Sequence, residues 1–228
     1  MKKLIGVIVL ACLSNGALAA TAREDSTKRL QMASEVLQQI MAAPDKGIPD
    51  EVIEGSKCIA VVPHLVKAGF VFGAKHGRGV ATCRTANGGW SAPAFISVGG
   101  GSWGLQIGAE SVDLVMVIMN DKGMEHLLSS KFQISGEGSA AAGPVGRHAS
   151  AGTDWKLNSE MLTYSRAKGA FAGLTLEGAD VQADEDSTKA IYGKNVPFRN
   201  ILTGKVATPA VAKTFIATIS TAKRQATK

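Results

Sequence analysis

Apolar residues in the first quarter of the chain recur at the three-to-four-residue spacing of an amphipathic helix. The pattern predicts a helix over residues 25–43, with an N-cap among residues 25–27 and an end at Pro44 and Gly47. Its apolar stripe consists of Leu30, Ala33, Val36, Leu37, Ile40 and Met41. Pro49 then predicts a short helix over residues 50–55, whose acidic first turn suits the helix dipole.

Beyond Gly55 the pattern changes to short runs of Val, Ile, Phe and Thr separated by glycines. Twenty of the 26 glycines lie between Gly69 and Gly178, a density that would break helices but punctuates strands. The predicted strands are 58–62, 69–74, 79–85, 90–98, 103–110 and 112–119. The Asn87-Gly88 pair between the third and fourth strands predicts a tight hairpin turn.

The C-terminal part of the chain returns to helical spacing, after one short helix predicted over residues 121–129. The remaining segments are predicted to be extended at 132–139, 153–158 and 169–176, and helical at 187–193, 197–202 and 209–223. The last helix carries Val211, Phe215, Ile219 and Ala222 on one stripe. The chain shows no internal repeat or long linker. It is therefore predicted to be a single α+β domain, a Gly-rich antiparallel sheet or partial barrel with N- and C-terminal helices.

The first nineteen residues have the composition of a secretory signal peptide. Two lysines, Lys2 and Lys3, precede the apolar run 4–13, and Ala17-Leu18-Ala19 matches a cleavage site. We therefore expect export, with a periplasmic or secreted mature domain of residues 20–228 whose core spans about 30–204. Residues 9–12 offer an alternative, a lipoprotein site at which Cys12 would be lipidated and would anchor the protein to a membrane.

Composition excludes some classes of protein and leaves the state of two cysteines open. A content of 45% hydrophobic and 19% charged residues excludes a disordered chain, and no apolar run is long enough for a transmembrane helix. In an oxidising compartment Cys58 and Cys83 could pair in a disulfide, or they could remain two small buried thiols. Histidines and cysteines lack metal-ligand spacing, so we expect no metal and no cofactor.

One motif suggests catalysis. The segment Gly100-Gly101-Ser102-Trp103-Gly104 matches the G-x-S-x-G pattern of serine hydrolases, and His126 or His148 would be the base. In those enzymes the serine occupies a sharp turn between a strand and a helix. Because the residues after Ser102 have the pattern of a strand, we interpret the motif as a Gly-rich corner of the sheet. We expect Ser102 to be unreactive and the protein not to be an enzyme.

Charge is distributed unevenly along the chain. The 25 Lys and Arg against 19 Asp and Glu give a formal charge of +6, and Asp186 is the last acidic residue. The basic residues beyond it are Lys189, Lys194, Arg199, Lys205, Lys213, Lys223, Arg224 and Lys228. This asymmetry favours an anionic partner, and for an exported protein a membrane surface fits better than nucleic acid. The acidic run 184–186 lacks the spacing of a calcium loop and is predicted to be a solvated loop.

A series of sequence blocks between about Leu30 and Gly204 resembles the SYLF lipid-binding domain in order and spacing. The blocks are 48–49, 56–63, 67–70, 89–93, 106–108, 143–147, 164–173, 176–178 and 192–193. In eukaryotes that family is associated with phosphoinositide binding, through an N-terminal amphipathic segment and basic residues, and with actin-patch regulation. The chain departs from the family at Cys58, where the family tends to have glycine.

The resemblance also implies candidate site residues. Four basic residues lie within the matching blocks near glycines, where they would form either ion pairs or an anion site: Lys67, Arg147, Arg166 and Lys168. Together with the amphipathic helix 30–41, they are expected to bind anionic phospholipid headgroups. The sequence shows no SH3 or FYVE module, and an exported protein does not ordinarily meet actin. We therefore expect the lipid-binding half of the family's function, and not the actin half, to apply.

The function expected from the sequence is that of a non-enzymatic cell-envelope protein that binds anionic lipid headgroups. One alternative is a structural or interaction protein of the envelope, in which the basic residues face solvent or pair internally. The other alternative is a serine hydrolase that uses Ser102.

Overall fold

The computed structural model of the chain describes residues 2–43, 47–134, 139–143, 159–167, 170–171, 176 and 178–222. Its helices are α1 (Lys2–Met41), α2 (Asp50–Gly55), α3 (Asp121–Leu128), α4 (Glu185–Tyr192), α5 (Phe198–Leu202) and α6 (Lys213–Ala222), with a 3-10 turn at Ala210–Ala212. Its strands are β1 (Cys58–Cys83), β2 (Ala94–Ile118), β3 (Lys131–Gln133), β4 (Ala140–Ala142), β5 (Met161–Ala167), β6 (Ala170–Phe171) and β7 (Ala179–Ala183). The predicted class, a Gly-rich and mainly antiparallel sheet with helices at both ends of the chain, is confirmed.

Two long strands, β1 and β2, replace the six short strands that the sequence predicted. They pair antiparallel from Cys58↔Ile118 to Ala81↔Ala94. Glycine keeps its main-chain donor and acceptor, so the glycines between the predicted strands do not end the ladder. The register shifts at two places, between Val62 and Leu65 and between Gly69 and Val71. The predicted hairpin turn connects the two strands, and Gly88 adopts the left-handed conformation there, with φ +77°.

The β1–β2 ribbon doubles back on itself, which brings the two ends of β1 together. The main-chain nitrogen of Arg84 donates to the carbonyl of Lys57 at 2.7 Å. Beside this hydrogen bond Cys58 and Cys83, both fully buried, are joined by a disulfide, one of the two states that the sequence left open.

Glycine at position 79 allows this close approach. A Cβ at Gly79 would collide with the carbonyl oxygen of Val61 and would lie 2.8 Å from the Cγ2 atom of Val62. A side chain here would therefore push the returning end of β1 away from its start.

Shorter strands extend the ribbon into a curled sheet. Its order in the described residues is β3-β7-β2-β5-β4, with β1 also paired to β2 and β6 to β5; only β4 and β5 run parallel. Strand β7 pairs with residues 96–100 of β2, and β5 pairs with residues 113–118. Between these two segments, β2 has β1 as its only strand neighbour among the described residues.

Both faces of the paired ribbon ends are covered by helices. Ile59 and Val61 belong to one hydrophobic cluster, which includes residues of α1, α2, α4 and α6. Ala60 and Val62, which alternate with them, belong to a second cluster with residues of α3 and α5. This arrangement explains why the strand ends are apolar at successive positions, as expected for strands buried on two sides.

Helix α1 differs from the predicted first helix at its start. It continues through residues 25–27, where the hydroxyls of Ser26 and Thr27 donate to the carbonyls of Ala22 and Arg23, so the predicted N-cap is wrong. The apolar stripe is confirmed, because Leu30, Ala33, Val36, Leu37 and Ile40 are at most 5% exposed. That stripe lies in the protein core. The expectation that it contacts a bilayer therefore does not agree with this fold.

The other predicted helices agree closely with the structure. Helix α2 has the predicted bounds, and α3 ends one residue before the predicted end. Asn120 caps α3 by accepting from the main-chain nitrogen of Gly123 at 2.9 Å. The predicted C-terminal helices correspond to α4, α5 and α6, and the extended segment predicted at 153–158 lies outside the described residues.

Candidate functional site

Two of the four predicted anion-site residues, Lys67 and Arg166, lie in the described part of the chain. Lys67 is half-buried on β1, opposite Glu110 of β2. Arg166, on β5, donates to the side-chain oxygen of Gln39 and to Asp113 Oδ2, the latter at 3.4 Å. Its guanidinium is therefore held within the protein by α1 and β2. Arg147 and Lys168 lie outside the described residues, so a site formed by all four remains a prediction.

Two buried polar groups of β5 have unmet hydrogen-bonding capacity, and one of them belongs to Arg166, the partner of Asp113. Asp113 Oδ1 accepts from the main-chain nitrogen of His64, which is in the left-handed region with φ +52° at a register shift of β1. Arg166 Nε and Tyr164 Oη are buried without a hydrogen-bond partner in the structure described. Burial raises the pKa of Tyr164, so this phenol stays neutral at physiological pH.

The acidic run 184–186 does not form the solvated loop that the sequence predicted. Asp184 is only 8% exposed, and it caps α4 by accepting from the main-chain nitrogen of Ser187 at 3.1 Å. Its Oδ2 atom accepts from Arg29 Nη1 and Arg78 Nε, both at 3.0 Å. One carboxylate therefore connects α1, β1 and α4. An acidic residue just before a helical segment is the N-cap signal that could have identified it.

Electrostatics favour the charged form of Asp184 despite its burial. Burial by itself disfavours the carboxylate, but hydrogen bonds from Ser187 and the charges of Arg78 and Arg29 outweigh this effect and lower the pKa of Asp184. Burial and the neighbouring Arg78 lower the pKa of Arg29, whose guanidinium also lies 5.6 Å from the ring centroid of Phe95. These contacts are satisfied within the protein, so the cluster stabilises the fold.

Arginines and lysines of the described chain have different roles. The six described arginines all have internal partners: Arg23, Arg29, Arg78, Arg84, Arg166 and Arg199. Six lysines form no ion pair with the described residues: Lys67, Lys131, Lys189, Lys194, Lys205 and Lys213. All of these except the half-buried Lys67 are exposed. The lysines of this part of the protein can therefore contact a partner without giving up an internal contact.

Ser102 lies within β2, where the pairing register sets it opposite Gly73 of β1. The strand continues on both sides of Ser102, so the strand–turn–helix that a hydrolase requires does not form around it. On α3, His126 Nδ1 lies 2.8 Å from Glu160 Oε2, and its ring stacks on Phe132. The other proposed base, His148, lies outside the described residues.

Neither a metal centre nor a membrane-spanning helix occurs in the part of the chain that the structure describes. The described side chains include no group of three or more His, Cys, Asp or Glu residues that could hold a metal ion. Among the helices described, none is both long enough and apolar enough to cross a membrane.

Known proteins are similar in sequence to this chain over most of its length. The SH3 domain-containing protein PJ696.02 of Schizosaccharomyces pombe is 36% identical over 169 residues, which are 72% of this chain and 39% of that protein. Human SH3 domain-containing YSC84-like protein 1 is 32% identical over 171 residues, which are 75% of this chain and 50% of that protein. Protein YSC84 of Saccharomyces cerevisiae is 32% identical over 171 residues, which are 74% of this chain and 36% of that protein.

The chain therefore spans half or less of the length of these relatives. A family model described as "Ysc84: Las17-binding protein actin regulator" matches residues 99–222, from near the start of β2 to the end of α6. This match covers more than half of the chain and agrees with the resemblance to the SYLF domain, so the chain belongs to the Ysc84 family, which carries that domain.

Proposed function

We propose that this member of the Ysc84 family is a non-enzymatic protein of the cell envelope that binds anionic phospholipid headgroups through surface lysines. The observation that carries the proposal is the contrast between the two basic residue types. Each described arginine has an internal partner, whereas six lysines have no ion pair among the described residues. Lysines of this kind can contact an external anion without losing an internal one.

Four of these lysines lie in the part of the chain that follows the last acidic residue, Asp186: Lys189, Lys194, Lys205 and Lys213. Each lysine near an anionic membrane contributes about 1 kcal/mol, so several acting together give a useful affinity. The attraction falls off over about one Debye length, and binding should weaken as salt is raised. The apolar stripe of α1 is not needed for this contact, because it is buried in the core.

Vesicle sedimentation tests the proposal. Replacing Lys189, Lys194 and Lys205 together by Gln should weaken binding to vesicles rich in phosphatidylglycerol roughly a hundredfold. The matched control replaces Lys28, Lys57 and Lys122 by Gln, which removes the same charge from lysines that pair with acidic residues.

The control variant should bind almost as well as the parent protein. An equal loss in both variants would show that only net charge matters. Equal binding of the parent to neutral phosphatidylcholine vesicles would reject a headgroup contact.

The predicted anion site adds a narrower test. Reversing Arg147 and Lys168 to Glu should reduce vesicle binding if these residues form part of the site. Arg166 is left unchanged, because its reversal would also disrupt the contact with Asp113. Full binding by the double variant would exclude these two residues from the headgroup contact.

The proposed location depends on the N-terminal leader. We propose that residues 1–19 are removed on export, so that the mature protein begins at Ala20. Intact-mass spectrometry of the native protein tests this. An acylated Cys12 as the first residue would establish the lipoprotein alternative, and a product that retains Met1 would reject both forms of processing.

A protein partner is the second candidate function, favoured by the description of the matching family as a Las17-binding actin regulator. The expectation that actin is not a partner rests only on the proposed export, and the family membership gives it no support. Co-sedimentation of the mature chain with actin filaments, alongside the vesicle experiment, separates the two candidates. Binding to filaments but not to anionic vesicles would favour the protein partner.

A further inference from the structure

The middle of the β1–β2 ribbon leaves the protein core. We call residues 66–74 of β1 and 101–111 of β2 the arch. Leu65 and Val112, at one base of the arch, are fully buried or nearly so, and Val98, next to the other base, is fully buried. Between the bases Val66 is 45% exposed. Other exposed residues of the arch are Ala68, Ala74, Gly101, Ala109 and Ser111.

The arch is a two-stranded ribbon. Strand β7 pairs with β2 only up to Gly100, and β5 pairs with it only from Asp113, so no third strand extends over the arch in the described residues. The ribbon returns to the core beyond the arch, where Gly77 lies against Val62 and Leu65. The arch is therefore a projecting bend that is anchored at both of its bases.

Apart from Lys67 and Glu110, which are paired in register near one base, the sequence of the arch is uncharged and largely apolar. No Asp, Glu, Lys or Arg occurs in residues 68–74 or 99–109, although Lys67 and Glu110 lie next to these two segments. The large apolar residues are Phe70, Val71, Phe72, Trp103, Leu105 and Ile107. The register sets Phe72 opposite Trp103, so these two residues share one face of the ribbon. A projecting apolar segment of this kind marks an interaction site.

We propose that the arch is the part of this protein that inserts into the membrane, entering the boundary between headgroups and acyl chains of an anionic bilayer. This inference rests on the proposed function, since it requires that the protein binds lipid. Tryptophan and phenylalanine favour that boundary region. Lys67 is near one base of the arch and has no ion pair with the described residues, so it is placed to contact an anionic headgroup as the arch enters.

The backbone of the arch sets how deep it can go. From Leu65 to the middle of the arch is about five residues, or at most about 16 Å at strand spacing. The outer edge of each strand carries main-chain groups that the ribbon does not pair, and these are costly to bury in hydrocarbon. Both considerations favour shallow insertion, of the order of 5–10 Å, over a membrane-spanning arrangement.

A second copy of the chain is a less suitable binding partner for the arch than a membrane. Strand-to-strand addition needs a regular edge, but the register shifts between Gly69 and Val71, and glycines interrupt both strands. Irregularities of this kind are a common means of preventing edge pairing. A fluid lipid surface does not require a regular hydrogen-bonding edge.

Tryptophan fluorescence with vesicles of equal parts phosphatidylcholine and phosphatidylglycerol tests the inference. In the parent protein, binding should shift the emission to the blue, and lipids brominated near the glycerol end of the acyl chain should quench it. Both changes should disappear in the Trp103→Phe variant, which keeps Trp90 and Trp155. Persistence of the shift and the quenching in this variant would overturn the inference.

A second pair of variants separates insertion from electrostatic attraction. The Phe72→Ser/Trp103→Ser variant should lose tenfold to a hundredfold in vesicle affinity. The loss should fall chiefly on the binding that persists at high salt. The Lys189→Gln/Lys194→Gln/Lys205→Gln variant should lose chiefly the vesicle binding that high salt weakens. Circular dichroism and thermal unfolding check that both variants remain folded.

The outcomes distinguish this inference from the function on which it rests. If the parent protein binds anionic vesicles without quenching of Trp103, the arch does not insert, and the proposed headgroup contact stands. If the parent protein binds no vesicles, both proposals fail. If light scattering shows a dimer that the double serine variant converts to a monomer, a second copy occupies the arch and the inference is overturned.

Discussion

The ends and the middle of the β1–β2 ribbon are built from the same two strands but have opposite surroundings. At the ends, Ile59 and Val61 belong to the cluster with α1 and α6, and Ala60 and Val62 belong to the cluster with α3 and α5. In the arch, the exposed residues lie on both strands at both bases. Apolar strand residues are therefore buried where helices lie over them and exposed where the ribbon projects.

The comparison also separates two uses of glycine. At the ends of the ribbon, Gly79 has no room for a side chain, because the start of β1 lies against it. In the arch, a Cβ at Gly101 would meet no atom within 4 Å. The first glycine therefore serves close packing of the backbone, whereas the second is not required by any contact.

The Asp184→Ala variant should destabilise the protein most, because Asp184 ties α1 and α4 to the returning end of β1. It would leave Arg29 buried without its carboxylate, and we expect a loss of about 3–5 kcal/mol in the free energy of unfolding. Urea denaturation measures this loss. The control is Glu125→Ala, which removes the partner of Arg199 from an exposed ion pair and should cost less than about 1 kcal/mol. Similar losses in the two variants would show that the Asp184 cluster does not stabilise the ribbon ends.

The disulfide should have the next largest effect, because it holds the two ends of β1 together across a sequence separation of 25. Cys58→Ala/Cys83→Ala should lower the free energy of unfolding by about 3.5 kcal/mol, the loop entropy expected for that length. The parent protein treated with a reductant during denaturation should approach the stability of the variant. A parent protein that is equally stable with and without reductant would contradict this prediction.

A matched pair of glycine variants tests the comparison directly. Gly79→Ala should cost about 1–3 kcal/mol, because the new methyl group collides with Val61 and Val62. Gly101→Ala should change stability by less than about 0.5 kcal/mol. Thermal unfolding of both variants under the same conditions gives the two values. Equal effects would mean that the arch is packed as tightly as the ribbon ends.

The pH dependence of stability gives a further test of Asp184. We expect it to be the smallest of the four predicted effects. The pKa of Asp184 is lowered in the folded protein, so the unfolded chain binds its proton at a higher pH than the folded chain does. The stabilisation is therefore present above the pKa of Asp184 in the unfolded chain, which is about 4. It is lost as pH falls through the lower pKa of the folded protein. The Asp184→Asn variant should lose less stability than the parent between about pH 6 and pH 3 in urea denaturation. Parallel curves for the two proteins would contradict the lowered pKa.

The sequence by itself determined the local elements and the class of the fold. Periodic apolar residues located the stripe of α1, the pair Asn87-Gly88 located the turn between the long strands, and Pro49 marked the start of α2. The blocks shared with the SYLF domain identified the family, which the family match confirms. These features depend on a few neighbouring residues or on short motifs, so they can be recognised without knowledge of distant contacts.

Tertiary structure alone decided how those elements are used. Glycines that appeared to end strands are spanned by continuous pairing, because the ladder depends on the partner strand. Asp184 lies in an acidic run, yet it is buried because Arg29 and Arg78, 155 and 106 positions earlier in the chain, neutralise it. Arg166 is paired for the same reason, through contacts with Gln39 and Asp113. Burial and charge compensation depend on residues far apart in the chain, and only the folded arrangement brings them together.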